Sequence, residues 1–352
     1  MSAPALSPPD APRSSPSPLK YLFPGWYAIV MGLCGLALAW HRATPLMGEA
    51  ATAAALGVGL LAAAVFGVLA VATLLRGLRH AEAWAEDRQH PVRHSFIAAL
   101  PIAIILLATV AQALGLHGAP VTLLWMIGAA SQLVVTIWVL GRWWKGNGKD
   151  GLSWAGITPA LFIPIVGNVL VPLAGVPMGY AQWSAAQFGA GLLFWPVVMI
   201  LIGARILVQG PWPERLRPAS FIFIAPPAVV GLAALQFGAP ELLAWGLWGM
   251  AMFSAAWVAL QARAIAALPF GLAHWGMSFP LAALAALTLR LAGPSGFMAN
   301  LAVLLLALAS LVIAGLVLGT VRGLREGTLL APEPAGPTEP AAASLRVVAS
   351  KP

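Results

Sequence analysis

Residues 297–321 read FMANLAVLLLALASLVIAGLVLGTV, twenty-five positions without a single charge. About 20 apolar residues suffice to cross the hydrocarbon of a bilayer as a helix. An open strand is not viable there, because its backbone groups would go unpaired. This stretch is therefore read as a spanning helix, and nine further apolar runs of similar length precede it. They cover approximately 21–40, 50–75, 96–116, 120–141, 157–176, 185–207, 219–237, 241–262 and 270–290.

Composition agrees with that reading. Of 352 residues, 60% are hydrophobic and 9% charged, against about 25% charged in an ordinary soluble domain. A soluble enzyme is excluded on this ground. The lone cysteine, Cys34, cannot form an intrachain disulfide or a cysteine-rich zinc site. The net charge of +8 is read as membrane orientation rather than nucleic-acid binding. Seventeen of the 19 lysines and arginines fall on the tails and the even-to-odd connections, and two, Arg42 and Arg290, on the other side. By the positive-inside rule both termini are cytoplasmic and the number of spans is even. Residues 1–20 and 323–352, rich in Pro, Ala, Ser and Glu, are expected to be disordered cytoplasmic tails around a membrane domain at 21–322.

Each odd-numbered run carries a proline after an apolar or aromatic residue: Pro24, Pro101, Pro164, Pro227 and Pro280. The intervals are 77, 63, 63 and 53 residues, each about one helical hairpin. The expected fold is thus an all-α polytopic membrane protein. Its ten helices form five hairpins, with the kinked inner helices around a central pore. Backbone freed at a proline is tolerated at membrane depth only where it faces protein or a water-filled cavity.

Five segments carry a family resemblance: Phe23-Pro24-Gly25-Trp26-Tyr27, His90-Pro91-Val92-Arg93, Val166-Gly167-Asn168, Phe223-Ile224-Ala225-Pro226-Pro227, and Ala273-His274-Trp275-Gly276-Met277-Ser278-Phe279-Pro280. Together they resemble the tellurite-resistance/dicarboxylate transporter family. That family includes TehA-like bacterial proteins, yeast malate and sulfite transporters, and the slow anion channels of plant guard cells. The resemblance implies ten helices with quasi-fivefold symmetry, a pore in each subunit of a homotrimer, and passage of small anions. It also implies a phenylalanine gate on the ninth helix, which here is Phe279. Two positions depart from the family pattern, His274 where tryptophan is more frequent and Pro226 where a small residue is usual.

The remaining residues are weighed beside that resemblance. Pro280 releases the carbonyl of Gly276, and a bend there would tip the Phe279 ring into the pathway. His274, five residues earlier, is rotated about 140° from Phe279 and points elsewhere. Asn168 is a candidate polar lining residue. His90 and His94 have metal-ligand spacing but no third ligand, and are read as boundary histidines. Gly146–Gly151 has the glycines of a phosphate loop without its spacing, because Asp150 stands at the hydroxyl position. No metal or other cofactor is expected. All 11 acids lie outside the interiors of the runs, which leaves no buried carboxylate for proton or sodium coupling.

The expected function is a gated anion channel or exporter in a bacterial inner membrane, for nitrate, chloride, sulfite or dicarboxylate. The alternative is a proton-coupled carrier of a C4-dicarboxylate or sulfite, as in tellurite resistance or sulfite efflux. The expected partners are the lipid bilayer, the transported anion and two further copies of the chain. A membrane-embedded enzyme lacks support, since no converging nucleophile, acid pair or metal-ligand motif is present. A C-terminal fusion to a reporter active only outside the cytoplasm is expected to stay silent; a strong signal would overturn the even-span topology.

Overall fold

The computed structural model describes residues 17–146 and 151–331, and all regular structure among them is helical. The tails at 1–16 and 332–352, and most of the Gly146–Gly151 stretch, lie outside the described residues. The helical body reaches slightly further than the sequence boundaries: Pro18–Tyr21 forms a 3-10 turn and the last helix runs to Arg325.

In chain order the α-helices are α1 (Ala28–Arg42), α2 (Thr44–Met47), α3 (Glu49–Arg79), α4 (Ala81–Gln89), α5 (Ala99–Ala113), α6 (Ala119–Gly141) and α7 (Phe162–Val166). They continue as α8 (Pro172–Gly175), α9 (Ala181–Gln209), α10 (Ala225–Gln236), α11 (Glu241–Ala259), α12 (Ala262–Ala266), α13 (Ser278–Leu291) and α14 (Phe297–Arg325). Eight helical segments among the described residues are long and apolar enough to cross a membrane. The first and fifth sequence runs are helical but shorter. The first spends Pro24–Tyr27 on a 3-10 turn and leaves 15 residues to α1. In the fifth, Pro164, Gly167 and Pro172 break Pro159–Gly175 into 3-10 and α pieces.

Two layers emerge from the packing. Helix α1 touches α5 and α13; α5 touches α8 and the 3-10 turn Gly167–Leu170; that turn touches α10; and α10 touches α13. The chain of contacts closes on itself. Outside it, α3 lies on α1, α6 on α5, α9 on α7, α11 on α10 and α14 on α13. Burial separates the layers. In the segments holding α5, α10 and α13, 56%, 89% and 78% of the most apolar window is buried, against 17–33% in the outer five. The outer helices present large apolar side chains outward, such as Leu60, Val134, Ile200, Phe253 and Leu311, as lipid-facing helices must. The hairpin links are short, and Gly118 (φ 106°) and Gly238 (φ 76°) supply the left-handed backbone their turns require.

At the basic face, where most of the cations lie, charged groups tie these layers together. Arg76 at the end of α3 meets Asp87 of α4 at 2.7 Å, with side chains 1% and 0% exposed. The Arg76 Nε donates to the Lys20 carbonyl at 3.0 Å, and Lys20 pairs with Glu86 at 3.1 Å. Arg142 donates to the carbonyl of Arg88 at 2.6 Å. Removing one partner of a buried ion pair strands the other charge and costs about 3–5 kcal/mol. Asp87→Ala is therefore expected to lower the thermal unfolding midpoint in detergent far more than Glu86→Ala; equal midpoints would deny the pair its role.

Candidate functional site

The odd-run prolines share one structural signature. Pro101, Pro164, Pro227 and Pro280 each occupy the third position of an α-helix, and each of those helices directly follows a 3-10 segment. Pro24 opens the 3-10 turn that leads into α1. A proline cannot donate to the carbonyl four residues back, and its ring crowds that carbonyl. The preceding residues satisfy themselves with tighter i→i+3 bonds instead. The change of winding re-aims the side chains next to each proline.

Inside the ring of contacts, this transition zone encloses a cavity of about 70 Å³. All five inner segments contribute to it, through residues such as Ala28, Ala99, Ile163, Ala225 and Phe279. Its walls are apolar apart from the Thr158 hydroxyl and Trp275, and the Trp275 N–H is used by Thr320 at 2.8 Å. Toward the opposite face lies a second cavity of about 250 Å³, lined in part by Arg42, Thr109, Gln112 and Gln236. Among the described residues, Phe279 is the one that lines both. It is 8% exposed, and its ring rests on Gly35 of α1, where a Cβ would come within 3.0 Å of the ring edge. Gly276 makes a similar approach to the backbone of Ala219, at 3.1 Å from an added Cβ. A third cavity, of about 470 Å³, continues past His41 and Arg42 to Arg290. Among the described residues, no carboxylate lines any of the three.

Asn168 sits in the 3-10 turn Gly167–Leu170. It lines none of these cavities and is fully buried between helices. Its Nδ2 donates to Thr136 Oγ1 (2.8 Å) and to the carbonyls of Pro164 (3.0 Å) and Ile165 (3.1 Å), and its Oδ1 accepts from Gln187 (3.0 Å). The Pro164 carbonyl also accepts from Gln132 (2.8 Å) and Thr136 (2.5 Å). The asparagine thus belongs to a network that satisfies the broken fifth segment.

The histidines are likewise engaged locally. The His274 ring nitrogen meets the Gly271 backbone at 3.0 Å, and its ring stacks on Phe270 at 5.3 Å. His274 lines none of the three cavities. His90 Nδ1 accepts from the backbone N–H groups of Val92 and Arg93, both at 3.1 Å. That nitrogen caps a turn. Among the described residues no group of three or more His, Cys, Asp or Glu side chains converges. Gly35 escaped the sequence reading, although Gly32 one turn earlier gave a faint signal of a close helix approach. Arg42 and Arg290 were counted only for orientation.

A profile described as voltage-dependent anion channel (SLAC1) matches residues 21–321. The chain belongs to this family. Among its relatives are the Arabidopsis thaliana S-type anion channel SLAH2, 27% identical over 226 residues, which cover 63% of this chain and 42% of that protein. The S-type anion channel SLAH4 of the same plant is 24% identical over 272 residues, covering 76% of this chain and 74% of its own. The tellurite resistance protein TehA homolog of Haemophilus influenzae is 27% identical over 265 residues, covering 74% and 78%. The chain spans under half the length of SLAH2. The resemblance drawn from the five segments and this membership coincide. A multi-pass, all-helical membrane protein of an anion-transport family is established by the match and the apolar helices together.

The family's pathway and the Asn168 network make separable contributions. Losing a buried hydrogen-bonding partner costs about 1–3 kcal/mol. Asn168→Ala is expected to lower the unfolding midpoint while leaving the anion selectivity of an open pathway unchanged. A selectivity change at unchanged stability would return Asn168 to the lining.

Proposed function

We propose that this chain is a gated anion channel or exporter whose pathway runs through the ring of inner segments and is closed by Phe279. The observation that carries this reading is the position of Phe279 as the sole residue common to the two cavities. An aromatic ring across an apolar neck excludes water, and an anion cannot shed its hydration there without compensation. Burying a phenylalanine gains about 1.5–3 kcal/mol, so ordinary packing holds the ring shut and modest forces move it. Gly276 and Pro280 set the direction of the ring. The changes of winding at Pro24, Pro101, Pro164 and Pro227 shape the rest of the neck.

In this reading the first and fifth runs complete eight longer helices to ten spans, arranged as five hairpins. Both termini are cytoplasmic, the membrane is a bacterial inner membrane, and the exposed apolar faces of the outer helices serve lipid and the contacts of a homotrimer. The cargo is a small inorganic or dicarboxylate anion. Passive permeation is favoured over proton coupling by the absence of any carboxylate along the three cavities. The reading assigns the chain no catalytic role and no cofactor.

The test is anion current in a planar bilayer, normalised to protein. Phe279→Ala is expected to raise conductance strongly and Phe279→Leu to an intermediate level. Phe270→Ala, whose ring packs against Gly319 and His274, is expected to change little. A folded Phe279→Ala protein that conducts no more than the unmodified chain would make Phe279 a packing residue. A reversal potential that follows pH rather than the anion gradient would replace the channel by a coupled carrier.

A further inference from the structure

The two cations that the charge count leaves on the face opposite the basic one are far apart in sequence, Arg42 at the end of α1 and Arg290 near the end of α13. The packing of α1 against α13 brings them to one place. Both line the 470 Å³ cavity, together with His41, Leu289, Ala292 and the turns at Pro45–Leu46 and Gly293–Pro294. Arg42 is partly buried and extends further inward, into the cavity directly behind Phe279.

Like charges held together are unfavourable unless something of opposite sign lies between them. Among the described residues, neither guanidinium makes an ion pair or a hydrogen bond to the protein, and no carboxylate lines the cavity. Glu241, an acid on the same face, accepts from Trp245 at 3.1 Å and lies outside the cavity lining. The basic face is arranged differently: Arg76, Arg93 and Lys20 all reach acids. A concave site with two unneutralised guanidiniums and low-dielectric walls concentrates anions. The planar fork of arginine matches a planar oxyanion with paired donors, which a spherical halide cannot use.

We propose that Arg42 and Arg290 form an anion-binding site at the mouth opposite the basic face, which captures a small planar oxyanion of the nitrate or carboxylate class before it meets the Phe279 neck. The location as a mouth rests on the pathway proposed above, whereas binding itself does not.

Two measurements on the full-length protein separate these claims. In the first, arginine modification by phenylglyoxal is mapped by mass spectrometry in sodium nitrate and in a bulky sulfonate at equal ionic strength. Nitrate is expected to protect Arg42 and Arg290 several-fold, but not Arg79 or Arg263, which are exposed and line none of these cavities. Equal modification in the two salts overturns the site, whatever the channel does. In the second, current is measured in the Phe279→Ala background. Arg42→Gln and Arg290→Gln are expected to reduce nitrate current several-fold near 0.01 M, where the Debye length is about 30 Å, and hardly at all near 1 M, where it is about 3 Å. Arg42→Lys and Arg290→Lys are expected to restore the current but not a preference for nitrate over chloride. Currents unaffected at every concentration overturn the capture role. A silent Phe279→Ala background counts against the pathway, and the protection measurement then decides the site alone.

Discussion

A proline nitrogen carries no hydrogen, and within a membrane there is no water to make good the bond it fails to give. Everything at the centre of this protein follows from how that deficit is met. In four inner segments the helix arrives at its proline wound as a 3-10 helix and leaves as an α-helix, with the proline at the third α position. Tighter winding satisfies carbonyls locally and rotates the side chains around the switch. At Pro280 the neighbour that is re-aimed is Phe279. At Pro164 the break is deeper: Gln132 and Thr136 of α6 and the segment's own Asn168 donate to its carbonyl, and Gln187 of α9 donates to the Asn168 side chain. Irregular backbone survives at this depth because it is packed within protein or borders the inner cavity.

Charge is distributed by the same economy of solvation. Moving an ion out of water is costly, and a buried pair recovers that cost only with good geometry. The Arg76–Asp87 pair is buried at the basic face, where α4 closes over it and the Lys20 carbonyl takes a further Arg76 proton. Between the faces the inner cavity is apolar, which suits a neck that must be dry when closed. At the other face two arginines stand without protein counter-charges around an open cavity. An anion travelling this route would find positive charge at both ends and a dry constriction between them. On the proposed pathway, such an arrangement would discriminate against cations by long-range field and against leakage by dehydration.

The long apolar helices and the special positions of the prolines were legible in the chain itself. Apolar runs, short turn-rich links and regular proline spacing are local properties, and the physics that reads them is local too. The family segments, being contiguous, were equally visible, and Phe279 with Pro280 came with them. The partners of Asn168 were not legible: a polar residue in an apolar run can turn toward a pathway or toward a neighbouring helix. The choice depended on a broken segment whose carbonyls needed donors and on glutamines in two other helices. Gly35 was missed because its meaning lies in the ring of Phe279, more than two hundred residues away. Arg42 and Arg290 looked like orientation markers until α1 and α13 packed side by side. The sequence by itself determined the medium of this protein, its secondary structure and the sites where its helices must change winding, since hydrophobicity and a missing N–H act at the residue that carries them. Only the tertiary structure decided which side chains meet, because closing the ring of inner segments sets distances that no sequence spacing contains.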